Sequence, residues 1–398
     1  MKLPDDWKYI KLSDITTPLT EMAGDKKYET LSISAGIGFV NQAKKFGKEL
    51  SGKQYEKYTV LQRGDFSYNK GNSKKYPQGC IYQLTDRDCA AVPNVFESFR
   101  FILGINDYYE QLFMSGFLNH QLASRINHGV RDDGLLNLTG KDFYDCFVPS
   151  PPLAEQKKIA EILYKQDKLI LFKQKLLEQK QQQKKWLMQK LLEVSYAGAD
   201  VEEKFSLGGV VIDKRRWKKE ILGNVTTYSC VRKKDLESSY ICTENMKPDF
   251  GGISFYKTSE FIDGVCYEKG DILLGNIRPY LRKAWMADRD GVCSPDVLVL
   301  KMTDKVFSDF LYNVIANEKF LKYVMKGVKG TKMPRGDKEH VMKYVFYLPS
   351  LPEQKIIAQV LSTADKEIAL LKSSIEQEKQ KKKSLAQLLL TGTVRVKI

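Results

Sequence analysis

The stretch Leu153-Ala154-Glu155-Gln156-Lys157 occurs a second time, with one substitution, as Leu351-Pro352-Glu353-Gln354-Lys355. A long segment rich in Leu, Ile, Glu, Gln and Lys follows each copy, and these residue types favour helices. Prolines precede both copies, at Pro151 and Pro349, where a helix can begin but where its interior would not tolerate them. The two copies therefore predict two long helices.

Apolar residues recur at seven-residue intervals along both predicted helices. Such a repeat forms a narrow apolar seam that packs against a partner helix. A lysine interrupts both seams at the same level, at Lys184 and Lys382. We therefore predict an antiparallel coiled coil in which the two seams face each other. Its seam residues are Leu163, Ile170, Leu177, Leu191, Leu361, Ile368, Ile375 and Leu389.

The segments before the two predicted helices also contain a repeated sequence pattern. Matching pairs occur in the same order in both halves, which is the signature of an internal duplication. The pairs are Trp7-Lys8 with Trp217-Lys218, Arg63-Gly64-Asp65-Phe66 with Lys269-Gly270-Asp271-Ile272, Val92-Pro93-Asn94-Val95 with Ser294-Pro295-Asp296-Val297, and Gly129-Val130-Arg131 with Gly327-Val328-Lys329. We predict an α+β fold in which two similar globular domains are separated by the antiparallel helices, with a pseudo-twofold internal repeat.

Chain order and composition give the domain boundaries. The first globular domain is predicted at residues 1–150 and the first helix at 151–194, followed by a glycine-containing linker at 195–213. The second domain is predicted at 214–348, with a short helix from Asp309 to Val324, and the second long helix with the C-terminal tail is predicted at 349–398. With 398 residues, of which 42% are hydrophobic, the chain can bury two cores without metals or disulfides.

Charge and cysteine usage narrow the function classes. The net charge of +15 attracts phosphate polymers, anionic membranes or an acidic protein. Seven cysteines without a CxxC pair, beside only three histidines, argue against a zinc site and favour buried reduced thiols. The sequence lacks an apolar stretch of about 20 residues, so we expect a cytoplasmic protein.

Motifs for catalysis are incomplete in this sequence. Ser150-Pro151-Pro152-Leu153 lacks the aromatic residue that base-flipping methyltransferases stack on the target base, so we interpret it as a helix start. Asp296 near a lysine could suggest a nuclease, but its counterpart in the first half is Asn94. A phosphate-binding loop of the GxxxxGK[ST] type is also missing. We therefore expect a non-catalytic chain without a cofactor of its own.

The duplicated domain, the P-P-L-x-E-Q motif and the ending LLLTGTVRVK together resemble the specificity subunit of type I restriction-modification systems. The resemblance covers essentially the whole chain. Ala154 and Pro352 occupy a variable position of the motif, and Ser350 replaces one of its prolines. The segments that carry the resemblance are Pro151 to Gln156, Leu348 to Gln354, Gly64-Asp65, Gly270-Asp271 and Leu388 to Lys397.

The resemblance implies a division of labour among subunits. In that family each globular half is a target recognition domain, and the paired helices form a conserved spacer. Two methylation subunits would dock on the helices to make an adenine-specific methyltransferase, and restriction subunits would add an ATP-dependent nuclease. S-adenosylmethionine, ATP and Mg²⁺ would bind those partners. This chain would read one half of a bipartite duplex site with each domain.

Two loops in each half have the chemistry to contact DNA. We name the loop after each Gly-Asp strand, at residues 69–76 and 276–283, the strand loop. The loop that follows the last predicted domain helix, at residues 128–131 and 326–335, is named the helix loop. Asn pairs with adenine edges, and Arg or Lys pairs with guanine or phosphate, so we predict guanine contacts for Arg278 and Arg282 and a phosphate contact for Lys332. The Gly-Asp pairs themselves are predicted turn residues. The predicted DNA-binding residues are Asn69, Lys70, Asn72, Ser73, Lys74, Lys75, Tyr76, His128 and Arg131 in the first half, and Asn276, Arg278, Tyr280, Arg282, Lys283, Lys326, Lys329, Lys332 and Arg335 in the second.

Two other classes of protein remain open on the sequence alone. One is a coiled-coil scaffold whose paired domains bind protein, with the basic charge serving an acidic partner. The other is an autonomous enzyme related to fused endonuclease-methyltransferases. Cleavage or methyl transfer by the pure chain would favour the enzyme, and lack of preference among duplexes would favour the scaffold.

Overall fold

A computed structural model describes residues 3–48, 52–71, 76–126, 135–194, 203–235, 239–254, 262–330 and 332–398. The chain forms two compact units. The first unit consists of Met1–Gln174 with Ser373–Ile398, and the second consists of Lys175–Lys372. The boundaries between the units fall inside the two long helices, so each unit holds one globular domain and a part of both helices.

The first unit alternates short strands with short helices before the first long helix. In chain order its elements are β1 (Lys8–Lys11), α1 (Leu12–Ile15), β2 (Thr16–Pro18), β3 (Leu31–Ser34), β4 (Gly38–Asn41), α2 (Gln42–Phe46), a 3-10 helix (Gly52–Lys57), β5 (Thr59–Gln62), β6 (Phe66–Asn69), β7 (Cys80–Gln83), β8 (Cys89–Val92), β9 (Glu97–Phe101), α3 (Asn106–Met114), α4 (Asn119–Arg125), α5 (Gly140–Tyr144), β10 (Phe147–Ser150) and α6 (Leu153–Leu192).

An antiparallel sheet with the strand order β2-β9-β6-β7 organises the first core. Phe66 on β6 stacks on Phe99 on β9 with 5.5 Å between the ring centroids, and both side chains are fully buried. Leu163 of α6 and Leu389 near the chain end join the same core. Smaller antiparallel pairs, β1 with β10, β3 with β4 and β5 with β8, complete the unit.

The second unit repeats this order after an added hairpin. Its elements are β11 (Lys204–Leu207), β12 (Val210–Asp213), a 3-10 helix (Lys214–Arg216), β13 (Lys218–Ile221), α7 (Leu222–Val225), β14 (Thr226–Tyr228), β15 (Arg232–Asp235), β16 (Ser239–Ile241), β17 (Ile262–Tyr267), β18 (Ile272–Gly275), a 3-10 helix (Pro279–Leu281), β19 (Ala284–Met286), β20 (Gly291–Cys293), β21 (Val297–Met302), α8 (Ser308–Ala316), α9 (Glu318–Lys326), α10 (Lys338–Met342), β22 (Val345–Leu348) and α11 (Leu351–Leu390).

The sheets of the second unit correspond to those of the first. The order β14-β21-β18-β19 matches β2-β9-β6-β7 strand for strand, and the antiparallel pair β13 with β22 matches β1 with β10. A further four-stranded sheet, β15-β17-β20-β16, contains one parallel pair, β16 with β20. These matches confirm the predicted α+β class and the internal repeat.

Hydrogen bonds explain why the Glu-Gln pair occurs in both halves. The indole Nε1 of Trp7 donates to Glu155 at 2.9 Å, and that of Trp217 donates to Glu353 at 3.1 Å. In the first unit the neighbouring Gln156 accepts from the backbone N–H of Ile105 at 2.9 Å, at the start of α3. In the second unit Gln354 accepts from Phe307 at 2.7 Å. The motif therefore ties each long helix to its own domain.

The long helices run antiparallel within each unit. In the first unit Gln166 and Lys173 of α6 both donate to Glu378 of α11, and Lys382 donates to Asp167. In the second unit Lys180 donates to Glu367, and Lys184 donates to Asp365. Most seam side chains are buried, and Leu177 is half-buried. The buried ones are Leu163, Ile170, Leu191, Leu361, Ile368, Ile375 and Leu389.

The predicted linker at 195–213 contains secondary structure in its second part. Strands β11 and β12 form a hairpin whose two-residue turn is Gly208-Gly209, with φ of 53° and 80°. Two positive φ angles suit the twist of a hairpin, and glycine adopts them without strain. Ile212 is fully buried in the second core. The linker prediction was wrong here because glycines between apolar runs indicate a hairpin as well as a linker.

Two further expectations differ from the structure. The predicted helix from Asp309 to Val324 is two helices, α8 and α9, because Asn317 has extended backbone and its side chain caps the second helix by accepting from the N–H of Lys319. All seven thiols are free, but Cys89 and Cys230 are exposed, so the expectation of buried thiols was wrong for these two. None of the helices in the described part of the chain has the length and apolar character needed to cross a bilayer.

Candidate nucleic-acid interface

The strand loop and the helix loop of the second unit lie against each other. Ile277 and Arg335 form an antiparallel bridge. The N–H of Arg278 donates to the carbonyl of Pro334 at 2.8 Å, and the N–H of Gly336 donates to that of Asn276 at 3.2 Å. Backbone hydrogen bonds of this kind fix the position of both loops, so the predicted residues of the second half belong to one continuous surface.

The first unit has the same backbone arrangement. Gly71 and Leu135 form an antiparallel bridge, and the N–H of Leu136 donates to the carbonyl of Lys70 at 2.9 Å. Lys70 and Gly71 lie in the first strand loop, and Leu135 and Leu136 follow the first helix loop in the sequence. Several predicted contact residues lie outside the described residues, namely Asn72, Ser73, Lys74, Lys75, His128 and Arg131.

The two units also share the geometry of the turn that directly precedes β6 and β18. Gly64 has φ of 98°, and Gly270 has φ of 94°, a backbone conformation that glycine adopts easily. The Asp65 carboxylate accepts from the N–H of Gln62 at 2.7 Å, and the Asp271 carboxylate accepts from that of Glu268 at 2.8 Å. The Gly-Asp pairs are therefore turn residues that set the start of each strand leading to the strand loop.

Several basic side chains of the second unit are free to meet a ligand. Arg278 is exposed and has left-handed backbone geometry, with φ of 51°, and no side chain in the described part of the chain bonds its guanidinium. Tyr280 is 48% exposed two residues further on. Lys326 and Lys332 of the helix loop are exposed as well. Exposed cations on fixed loops are suited to contact phosphates or base edges.

Two other cations of the helix loop are exposed but paired with acids. Arg335 lies 3.0 Å from Asp296, and Lys329 bonds Asp337. The ammonium of Lys329, followed by the backbone N–H of His340, lowers the pKa of Asp337 to about 2. The same pairing raises the pKa of Lys329. The acids therefore hold both cations in place.

Three predicted residues of the second strand loop bond within their own unit. The guanidinium of Arg282 lies over the Phe250 ring at 5.1 Å and donates to the carbonyl of Ala316 at 3.3 Å. The ammonium of Lys283 donates to the carbonyl of Thr243 at 2.6 Å. Asn276 is buried at 8% exposure. The side chains of Arg282 and Lys283 therefore hold the loop in shape, which polar residue types alone could not reveal.

In the first unit, the described loop residues have internal partners. Asn69 bonds the N–H of Gly71 at 2.9 Å and so supports the turn that begins the loop. Lys70 lies 3.6 Å from Glu97, and both side chains are largely buried. Tyr76 is half-buried beside Gly36. The structure thus assigns Asn69 and Lys70 to loop support.

One supporting segment was missed by the sequence analysis. Asp249 and Phe250 both have positive φ, and their N–H groups donate to the carbonyls of Leu281 and Arg282 at 3.0 Å. This segment therefore supports the strand loop through backbone hydrogen bonds. The Gly251-Gly252 pair that follows signals a turn, but nothing in the sequence indicates which loop the turn contacts.

Within the described residues, no group of three or more His, Cys, Asp or Glu side chains could hold a metal ion. A cavity of about 20 Å³ lies behind the strand loop, between Asn276, Arg282 and Val324. A volume of that size has room for about one water molecule. A flipped base would not fit there.

Comparison with known proteins finds sequence similarity along the chain. A family described as the type I restriction modification DNA specificity domain matches residues 200–380. The type I restriction enzyme MjaVIII specificity subunit of Methanocaldococcus jannaschii is 28% identical over 290 residues, covering 69% of this chain and 68% of that protein. The putative MjaX specificity subunit of the same organism is 28% identical over 100% of this chain and 95% of its own length.

A solved structure shares the fold over almost the whole chain. The type I restriction-modification S subunit from M. genitalium has a TM-score of 0.57 at 14% identity and covers 98% of both chains. The duplicated α+β domains with long antiparallel helices are thus a fold that this chain shares with that S subunit. By these sequence comparisons, the chain is similar to type I restriction-modification specificity subunits.

Proposed function

We propose that this chain is the DNA sequence-specificity subunit of a type I restriction-modification complex and that it recognises a bipartite duplex site. The observation that carries the proposal is the paired loops, which are bridged in both units, at Gly71 with Leu135 and at Ile277 with Arg335. A duplicated surface is suited to a target in two parts. Each domain would read one half-site, because each has its own strand loop and helix loop.

The positive charge of the strand loop and helix loop in the second unit supports duplex DNA as the ligand. Arg278, Lys326 and Lys332 are exposed, and the whole chain carries a net charge of +15. Cations that meet phosphates release counterions and so give affinity without sequence preference. Planar guanidinium groups add preference, because they match the acceptor pair on the guanine edge.

We further propose that two methylation subunits dock on the long helices and that restriction subunits join them. Exposed apolar side chains on α6 support this docking, since Tyr164, Leu171 and Phe172 are 54%, 52% and 65% exposed. S-adenosylmethionine, ATP and Mg²⁺ would bind those partners and not this chain. The chain would then be non-catalytic and would supply only the recognition of the target sequence.

The proposal is tested by single-molecule sequencing of the source genome with this gene intact and deleted. We expect methylated adenines in one bipartite motif, and we expect deletion of the gene to remove methylation from that motif alone. Restoring the gene on a plasmid is the control. A scaffold that binds only protein would leave the genome methylation unchanged, and that result would contradict the proposal.

A further inference from the structure

The two acid-paired cations of the second unit project from the same face of the loop surface. Arg335 is directly opposite Lys329 on one side and Ile277 on the other, in antiparallel bridges. Directly opposed residues of an antiparallel pair point to the same side. Asp337 follows Arg335 by two positions and bonds Lys329, as expected for that side. The face therefore presents Arg335 and Lys329 together.

In the ion pair of Arg335 and Asp296, the arginine side chain is more exposed to solvent than the aspartate side chain. The Arg335 side chain is 55% exposed, whereas that of Asp296 is 37% exposed. Backbone bonds hold the acid, because its carbonyl accepts from the N–H of Asn276 at 2.9 Å and its own N–H donates to Ser294 Oγ at 3.3 Å. The carboxylate is thus a fixed anchor, and the guanidinium is the outward group.

The pair leaves a guanidinium edge free for a ligand. The ion pair with Asp296 involves one terminal nitrogen of Arg335, and the remaining N–H donors of the guanidinium are available. An anchored guanidinium loses less side-chain entropy when it binds, which favours a contact that demands one orientation. An acid at a phosphate-binding surface would weaken affinity for every duplex, so its presence favours selectivity over affinity.

We infer that Arg335 reads a guanine in the half-site of the second domain and that Asp296 is the positioning residue that orients its guanidinium. This inference rests on the proposed function. Both members of the pair differ in the first half, where Asn94 corresponds to Asp296 and Leu135 occupies the bridge position of Arg335. The pair of Arg335 and Asp296 therefore acts only on the half-site that the second domain reads.

The test measures the binding of full-length chain, copurified with the proposed methylation subunits, to a duplex library randomised in both half-sites at several salt concentrations. Arg335→Lys keeps the charge but removes the planar fork. Asp296→Asn removes the anchor and keeps the shape. Asp288→Asn is the matched control, because Asp288 forms an ion pair with Arg289 at the opposite end of β19 from the strand loop. Lys332→Ala reports on a phosphate contact.

We expect Arg335→Lys to lower the preference for guanine at one position of the second half-site by about 10-fold, with the salt dependence unchanged. Asp296→Asn should lower the preference at that same position by a smaller factor, and Asp288→Asn should have no effect. Lys332→Ala should weaken binding to all duplexes alike and lower the salt slope by about 1.

Two results would overturn the inference. One is an unchanged guanine preference in Arg335→Lys. The other is an equal gain in affinity for every duplex in Asp296→Asn, since the carboxylate would then act only by repelling phosphate. Failure of the proposed function looks different, because the unaltered complex itself would then show no preference in either half of the library.

Discussion

Arg278 and Arg282 have the same left-handed backbone geometry, with φ of 51° and 54°, but different surroundings. Arg278 is exposed, whereas Arg282 packs over Phe250 and donates to the carbonyl of Ala316. A guanidinium over an aromatic ring and a hydrogen bond to a carbonyl each contribute about 1 kcal/mol. The first arginine is therefore available to a ligand, and the second stabilises the loop.

Alanine variants of these arginines separate the two roles. We expect Arg282→Ala to lower the free energy of unfolding by about 1 to 3 kcal/mol, since it removes the ring contact and the hydrogen bond. Arg278→Ala should change stability by less than about 0.5 kcal/mol but should relax sequence preference in the second half-site. Urea unfolding and library binding measure the two effects. Equal stability of both variants would contradict the assignment.

Glu110 gives the first unit a predictable pH dependence. Burial, followed by repulsion from Asp107 and Asp167, raises the pKa of its carboxyl to about 7. The folded state therefore keeps a proton that the unfolded chain loses near pH 4.5, so stability falls as the pH rises from about 4.5 to 7 and is level above that range.

Replacing this carboxyl should remove the decline. We expect Glu110→Gln to be more stable than the unaltered chain at pH 8 by about 2 kcal/mol, and to be similar at pH 4.5. Thermal unfolding across this pH range measures the difference, with Glu161→Gln, an exposed glutamate on α6, as the control. Parallel pH curves for Glu110→Gln and the unaltered chain would show that the carboxyl is ionised when folded.

At the scale of elements, the buried seams decide the stability of the helix pair. Leu361 on α11 is fully buried in the second core, while Leu370 on the same helix is 72% exposed. We expect Leu361→Ala to lower the free energy of unfolding by about 2 to 5 kcal/mol and Leu370→Ala to change it by less than about 0.5 kcal/mol. Denaturant unfolding compares the two variants. Equal losses would contradict the packing of this seam.

Long-range periodicity made the helices predictable, whereas short elements depended on partners that the sequence does not reveal. The heptad repeat marks α6 and α11 because every seventh residue must reach the same seam. The hairpin of β11 and β12 was not predicted, because its apolar residues are explained by packing against the second core, which the sequence does not show. The break at Asn317 was missed because one capping residue interrupts an otherwise helical pattern.

For the whole molecule, the duplication was the most informative feature of the sequence. It predicted a strand loop and a helix loop in each half, and the structure adds that a backbone bridge joins the two segments in both units. It could not predict which side chains face outward. Lys283 and Arg282 bond within the unit, and the partner of Arg335 is Asp296, a residue for which only a nuclease role had been considered. Side-chain roles depend on neighbours that are distant in sequence.

Exchange of one domain tests most directly the central claim that each domain reads its own half-site. Residues 1–150 would be replaced by the corresponding domain of a specificity subunit with a different known target, and methylated adenines would be located by single-molecule sequencing. We expect a new bipartite motif in which one half-site changes while the other half-site and the spacing stay the same. A motif that changes in both halves, or an unchanged motif, would contradict the account.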